Sequence, residues 1–173
     1  MPASAEEGRD VMFRRMAYRE PDSVLDIGAG SGTYGKMFRQ IAPTPYLIGV
    51  EIWPPYVNQY NLTEIYDHVL VQDVRDMWGR LPPRADIVIL GDVLEHMPEE
   101  DAVRVWHFAK ELARDAVYLS IPIVPCPQDA VGGNPHEEHV VSDWTHERVL
   151  AAFPGISWHW RGSVVGRYEA VVR

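Results

Sequence analysis

The sequence predicts an α/β protein: a doubly wound, mostly parallel sheet with helices on both faces. Two observations lead there. Strand-like apolar runs alternate with helix-like segments, and the runs are continuous rather than alternating, as in strands covered on both sides. A glycine-rich stretch, "VLDIGAGSGTYG" at 24–35, links the first strand to the next helix. In sheets of this kind, that turn is where ligands meet exposed backbone N–H groups.

The elements follow in order. Residues 5–19 carry Val11, Met12 and Met16 between charges, which suits a short amphipathic helix at the domain edge. Then come "SVLDIG", a helix near 34–41, "YLIGVEI", a short helix near 56–62 and "HVLVQD". "ADIVILGD" leads to a helix over 98–114 with Pro98 in its first turn and Glu99, Glu100 and Asp101 at its positive end. One face of that helix, with Val105, Trp106, Ala109 and Leu112, is core. "AVYLSIPI" is the fifth strand. A helix near 143–152 and the strands "ISWHWRG" and "GRYEAVVR" close the chain, giving seven strands in all.

With 173 residues, one well-buried domain is expected over 1–173, with an N-terminal helix within 1–20 and a substrate-side loop at 124–142. No apolar run approaches the roughly 18 residues of a membrane span, and the first twenty residues lack the apolar core of a secretory signal, so no membrane partner and a cytoplasmic location are expected. Cys126 is the only cysteine, which excludes an internal disulfide and a cysteine-rich zinc site. A net charge of −9 disfavours nucleic acid as a partner, although Arg9, Arg14, Arg15 and Arg19 cluster near the start.

The glycine turn reads Asp-x-Gly-x-Gly-x-Gly from Asp26, with Gly28, Gly30 and Gly32. A dinucleotide fingerprint wants its third glycine one place later, and no lysine supports a phosphate loop. Two further carboxylates, Glu51 and Asp73, stand at the ends of the next two strands, suited to accept hydrogen bonds from a neutral nucleoside. Each alone is an ordinary strand-end turn former; three in this spacing around one turn are a site.

These residues resemble the class I S-adenosylmethionine-dependent methyltransferases, over nearly the whole chain. The resemblance implies that Asp26, Gly28, Ala29, Gly30 and Gly32 wrap the methionine portion of S-adenosylmethionine. It implies that Glu51 accepts from both ribose hydroxyls with Ile52 beside it, and that "QDV" at 72–74 forms the adenine site through Asp73 and Val74. Gly91 and Asp92, in "ADIVILGDVLEHMP", fall near the cofactor's amino group. The fold it implies is a Rossmann-like seven-stranded sheet with an antiparallel last strand, the activity is methylation, and the product is S-adenosylhomocysteine.

The acceptor is less constrained. A sulfonium methyl is already activated, so the protein's task is to align an acceptor and exclude water. If a base is needed, His96, His136 and His139 are the candidates, with Glu137 and Glu138 nearby. His96 lies in "LEH", a tripeptide common in the family. His136 and His139 lie in "GGNPHEEH" at 132–139, read as a mobile flap hinged at Gly132 and Gly133 that orders over the acceptor. His136, Glu137 or Glu138, and His139 have the right types for zinc, but no helix fixes their spacing, and no metal is expected.

Tyr18, Tyr34, Trp144 and Glu138 are the expected acceptor-pocket residues. The absence of an Asn/Asp-Pro-Pro-aromatic motif argues against base-amino methylation, and Cys126 lacks the company of a carbon-methylating cysteine. An oxygen or nitrogen of a small molecule or protein remains. The alternatives are a cofactor-binding module that needs a partner for catalysis and, more remotely, a nicotinamide oxidoreductase.

Overall fold

The computed structural model describes residues 6–77 and 84–172. Ala5 and Arg173, assigned from the sequence to the first helix and last strand, lie outside the described residues. Helix α1 (Arg9–Tyr18) precedes β1 (Ser23–Ile27), α2 (Thr33–Phe38), β2 (Tyr46–Glu51), α3 (Pro54–Gln59), α4 (Leu62–Ile65) and β3 (His68–Val71). The second half runs β4 (Ala85–Gly91), α5 (Glu99–Leu112), β5 (Ala113–Pro122), α6 (His146–Ala152), β6 (Trp158–Arg161) and β7 (Val165–Val171), with 3-10 turns at Val74–Met77, Leu94–His96 and Pro135–Glu137.

The seven strands form one sheet in the order β3-β2-β1-β4-β5-β7-β6. The first five are parallel, and β7 enters antiparallel between β5 and β6. The order reverses between β1 and β4, so their carboxyl ends diverge into the crevice where such sheets hold ligands. Two apolar layers cover the sheet. One packs α5 and α6 through Trp106, Leu112, Trp144 and Phe153, and the other packs α1, α2 and α4 through Met12, Met16, Phe38 and Leu62.

Three differences from the sequence expectation have local causes. The helix near 56–62 is two short helices broken at Asn61, whose φ of 52° is left-handed. Asparagine tolerates that conformation, which a helix interior does not allow. The helix near 34–41 stops after Phe38. The helix at 98–114 ends at Leu112, and β5 begins at Ala113 with no intervening loop, because Ala113 already pairs with Ala85.

The chain's start is fastened to its end by charge. Glu169, 1% exposed on β7, accepts from Arg15 Nε at 2.6 Å and from Arg19, while Arg19 also donates to the Tyr118 hydroxyl at 2.9 Å. The Glu7 carboxylate takes the N–H groups of Ser163, Val164 and Val165, which pull its pKa down to about 2. This holds the β6–β7 turn where Val164 and Val165 border the cavity at the carboxyl ends of β1, β2 and β4.

Candidate active site

At the carboxyl ends of β1, β2 and β4 lies a cavity of about 380 Å³, within the usual size of a small-molecule pocket. Its floor is the glycine turn. Gly28, Gly30 and Gly32 all have positive φ (74°, 51° and 74°), a backbone that keeps side chains out of the turn. A Cβ on Gly28 would run into the Val93 side chain. Gly32 does not border the cavity; it starts α2, and a Cβ there would lie 2.7 Å from Ile65. Its role is packing.

Glu51, buried at the end of β2, ties the turn together: one carboxylate oxygen accepts from Gly30 N and the other from Trp53 N, both at 2.8 Å. Burial raises its pKa against the pull of those two N–H groups. Asp73 and Val74 border the cavity one strand further on. Asp73 is gripped by Arg75, whose Nη2 approaches to 2.6 Å and whose N–H lies at 2.8 Å, and its pKa is lowered despite its partial burial. Asp26 lies behind the turn rather than in the cavity. Its Oδ2 accepts from the Tyr66 hydroxyl at 2.5 Å, its Oδ1 is buried without a partner, and burial pushes its pKa up to about 7.

On the other side of β1, Gly91 and Asp92 border the same cavity. Asp92 has a left-handed φ of 55°, and its carboxylate accepts from Ser120, which in turn is held by the fully buried Arg167. Arg167 also reaches the Tyr34 hydroxyl at 3.0 Å, so Tyr34 borders the cavity with a fixed ring. An arginine inside the apolar run of β7 was the available signal for this anchor, and sequence reasoning passed over it.

The loop over the cavity is fastened rather than loosely hinged. Cys126 N, His139 N and Val141 N donate to Ser142 O, Gln128 O and Glu95 O, and Gln128 Nε2 donates to Glu137 O at 2.6 Å. Gly132 and Gly133 have positive φ and open space around them, but they belong to a tight turn closed by a bridge between Val131 and Asn134. The flap expected to order over the acceptor already packs on the site. Its two histidines separate: His136 sits edge-on to Trp53 at 6.0 Å and near Asp73, while His139 sits edge-on to His96 at 4.9 Å. Glu137, buried, feels Glu51 and bonds Tyr56. The 134–137 turn therefore covers the Glu51–Asp73 end, and His139 faces the other.

That other end contains a group the sequence reading missed. Glu95 is 1% exposed, and neither of its carboxylate oxygens has a partner in another residue. Burial, then Asp92 and Glu137, pushes its pKa well above the carboxylate range. Burial also pushes His96 down to about 4, too low for an efficient free base near neutral pH. The side-chain donors of Glu95, His96 and His139 all lie within 4.8 Å of one another. The available signal was a carboxylate set between Leu94 and Met97, both apolar, in "LEHM".

Three expected acceptor residues lie elsewhere. Tyr18 is 90% exposed and borders a separate cleft with Arg14, Arg15, Arg19 and Glu169. Trp144 is core, tilted against Phe153 at 5.3 Å, because the residue before the α6 cap faces inward under α5. The Glu138 side chain is exposed, and only its carbonyl meets the site, by accepting from His96 Nδ1 at 3.0 Å. The zinc-type grouping of His136, Glu137 or Glu138, and His139 is also split between the two ends.

Residues 6–150 match the model of a family described as "Methyltransferase domain", and the chain belongs to that family. The protein is a class I S-adenosylmethionine-dependent methyltransferase. A search of the curated proteins found no match. Among solved structures, the chain is similar to the N-terminal domain of EvdMO1 with S-adenosylhomocysteine bound, at 14% identity and a TM-score of 0.65, covering 98% of this chain and 83% of that one. It is similar to magnesium protoporphyrin IX methyltransferase from Synechocystis PCC 6803 with bound S-adenosylmethionine, at 18% identity and 0.66, covering 95% and 77%. The mitomycin 7-O-methyltransferase MmcR gives 14% and 0.66, covering 95% of this chain but 54% of that one.

The residues present fit the cofactor. A bare left-handed turn lies beside the buried carboxylate of Glu51 and the partly buried one of Asp73, with the apolar Val74 and Ile52 next to them, and this set suits a neutral ribonucleoside joined to an amino acid. S-adenosylmethionine is the cofactor of this class of enzyme.

Proposed function

We propose that the protein methylates an oxygen or nitrogen of a small-molecule or protein acceptor whose reacting atom enters at the Glu95–His96–His139 end of the cavity. One observation carries this reading: the carboxylate end suited to the nucleoside and this polar end are walls of one continuous cavity. Bound S-adenosylmethionine supplies an activated methyl group. The glycine turn, Glu51 and Asp73 bind and orient it, while the 134–137 turn excludes water from that half. At the other end, Glu95, His96 and His139 receive the polar atom of the acceptor. A hydroxyl is favoured over an amine, since MmcR is named as an O-methyltransferase and shares the fold.

A chain of net charge −9 suits neither a nucleic acid backbone nor an anionic membrane, and the described residues contain no helix long and apolar enough to cross a membrane. With a single cysteine as well, a cytoplasmic site of action is the proposed one. A screen of hydroxylated and amine acceptors, read by release of S-adenosylhomocysteine, tests the function. Turnover with a hydroxylated acceptor supports it. Tight S-adenosylhomocysteine binding with turnover only after a partner protein is added makes the chain a cofactor-binding module instead.

A further inference from the structure

We infer that Glu95, His96 and His139 form a binding site for one divalent transition-metal cation, with open coordination positions that face the acceptor end of the cavity. Three independent observations converge on it. First, the donors are two imidazoles and one carboxylate within 4.8 Å of one another, contributed by the turn after β4 and by the distant 124–142 loop. Two histidines and one carboxylate are a ligand set for Zn²⁺, Mn²⁺ or Fe²⁺, with positions left for other ligands.

Second, both rings are oriented from behind. His96 Nδ1 meets Glu138 O at 3.0 Å, and His139 Nδ1 meets Cys126 O at 2.5 Å. A carbonyl oxygen only accepts, so each Nδ1 carries the proton and each Nε2 keeps its lone pair. Metal-binding histidines are held in this way, with the second nitrogen donating to a carbonyl or carboxylate.

Third, Glu95 is almost fully buried, and neither of its oxygens has a hydrogen-bond partner in any other residue. A buried carboxylate without donors is costly to the fold, and a cation supplies the missing partner. All three residues border the cavity, so the remaining positions of the cation are open to a ligand there.

The role of the cation rests on the methyl-transfer reading, whereas its binding does not. In that role it holds the acceptor oxygen and lowers the pKa of its hydroxyl, the proton leaving to solvent. This gives His96 and His139 one joint task and leaves no need for a free base among them.

The test uses the whole chain, stripped with a chelator and titrated by calorimetry with Zn²⁺ and, separately, Mn²⁺. Co²⁺ serves as an optical probe. The expected result is one saturable equivalent per chain and a Co²⁺ absorption band. His96→Ala, His139→Ala and Glu95→Gln should each weaken binding by about 100-fold or more, since even residues that only support metal ligands cost up to that much. His68→Ala and His107→Ala, at exposed positions outside the cavity, should bind as the parent does.

S-adenosylhomocysteine affinity and the melting temperature are measured for every variant, so that a fold defect is separated from a lost ligand. No saturable binding of either cation by the parent overturns the site, and so does parent-like affinity in all three ligand variants. S-adenosylhomocysteine binding without cation binding sinks this inference alone. Cation binding without S-adenosylhomocysteine binding sinks the methyl-transfer reading alone.

Discussion

The two ends of the cavity are built differently. The end proposed for the nucleoside uses residues at the ends of adjacent parallel strands: the turn after β1, Glu51 closing β2, and Asp73 just past β3. Each is placed by its own strand's register, and Glu51 fixes the turn across one strand spacing through Gly30. The end proposed for the acceptor takes Glu95 and His96 from a 3-10 turn after β4 and His139 from a loop more than forty residues later. It is held by backbone bonds from that loop, such as Val141 N to Glu95 O at 3.0 Å. Strand-end chemistry is local and repeats across a sheet. Loop-borne chemistry depends on how one segment docks on another, so it can vary while the cofactor half stays the same.

Four substitutions break or sharpen that contrast. The largest effect is expected from Gly28→Val, which combines a left-handed φ of 74° with a clash against Val93. Binding of S-adenosylhomocysteine should vanish in calorimetry; normal affinity would mean the turn is not the cofactor's seat. Next is Trp144→Ala. Because Trp144 is 1% exposed beneath α5 and α6, it should lower stability by about 3–5 kcal/mol in urea unfolding. A loss of turnover without a loss of stability would return Trp144 to the acceptor pocket.

Glu51→Ala should weaken S-adenosylhomocysteine binding by about 2–3 kcal/mol, since it removes the tether on Gly30 and, in the proposed binding mode, charge-assisted hydrogen bonds to the ribose. An unchanged dissociation constant would take Glu51 out of the site. The smallest effect separates the two histidines of the loop. His136 lies against Trp53 at the nucleoside end, so His136→Ala should weaken cofactor binding by about 0.5–1 kcal/mol and leave turnover at saturating cofactor near the parent rate. A hundredfold fall in turnover would place His136 at the acceptor end and undo the division between the two ends.

The glycine turn, Glu51, Asp73, Gly91 and the parallel strands were legible because their signals are short in sequence. A strand that is buried on both faces is a continuous apolar run, and a polar residue at its end stands out. The same signal was legible for α5, whose apolar face repeats at helical spacing and packs where that spacing directs it. Tyr18 and Trp144 show where such reading stops. Both are aromatic, yet one lies 90% exposed on α1 and the other is sealed under two helices. Residue type says that an aromatic ring buries well, but not which wall it joins.

By itself, then, the sequence determined the class of fold and the glycine turn, Glu51 and Asp73 that stand together at one end of the cavity, all through patterns that span a turn or a strand. Only the tertiary structure decided that His139 rather than His136 meets His96, that Glu95 lies buried within reach of both, and that Arg167 anchors Asp92 through Ser120. Those contacts join residues tens of positions apart. Their distances are set by how β4, β5, β7 and the long loop pack together, and no local period in the chain encodes a distance of that kind.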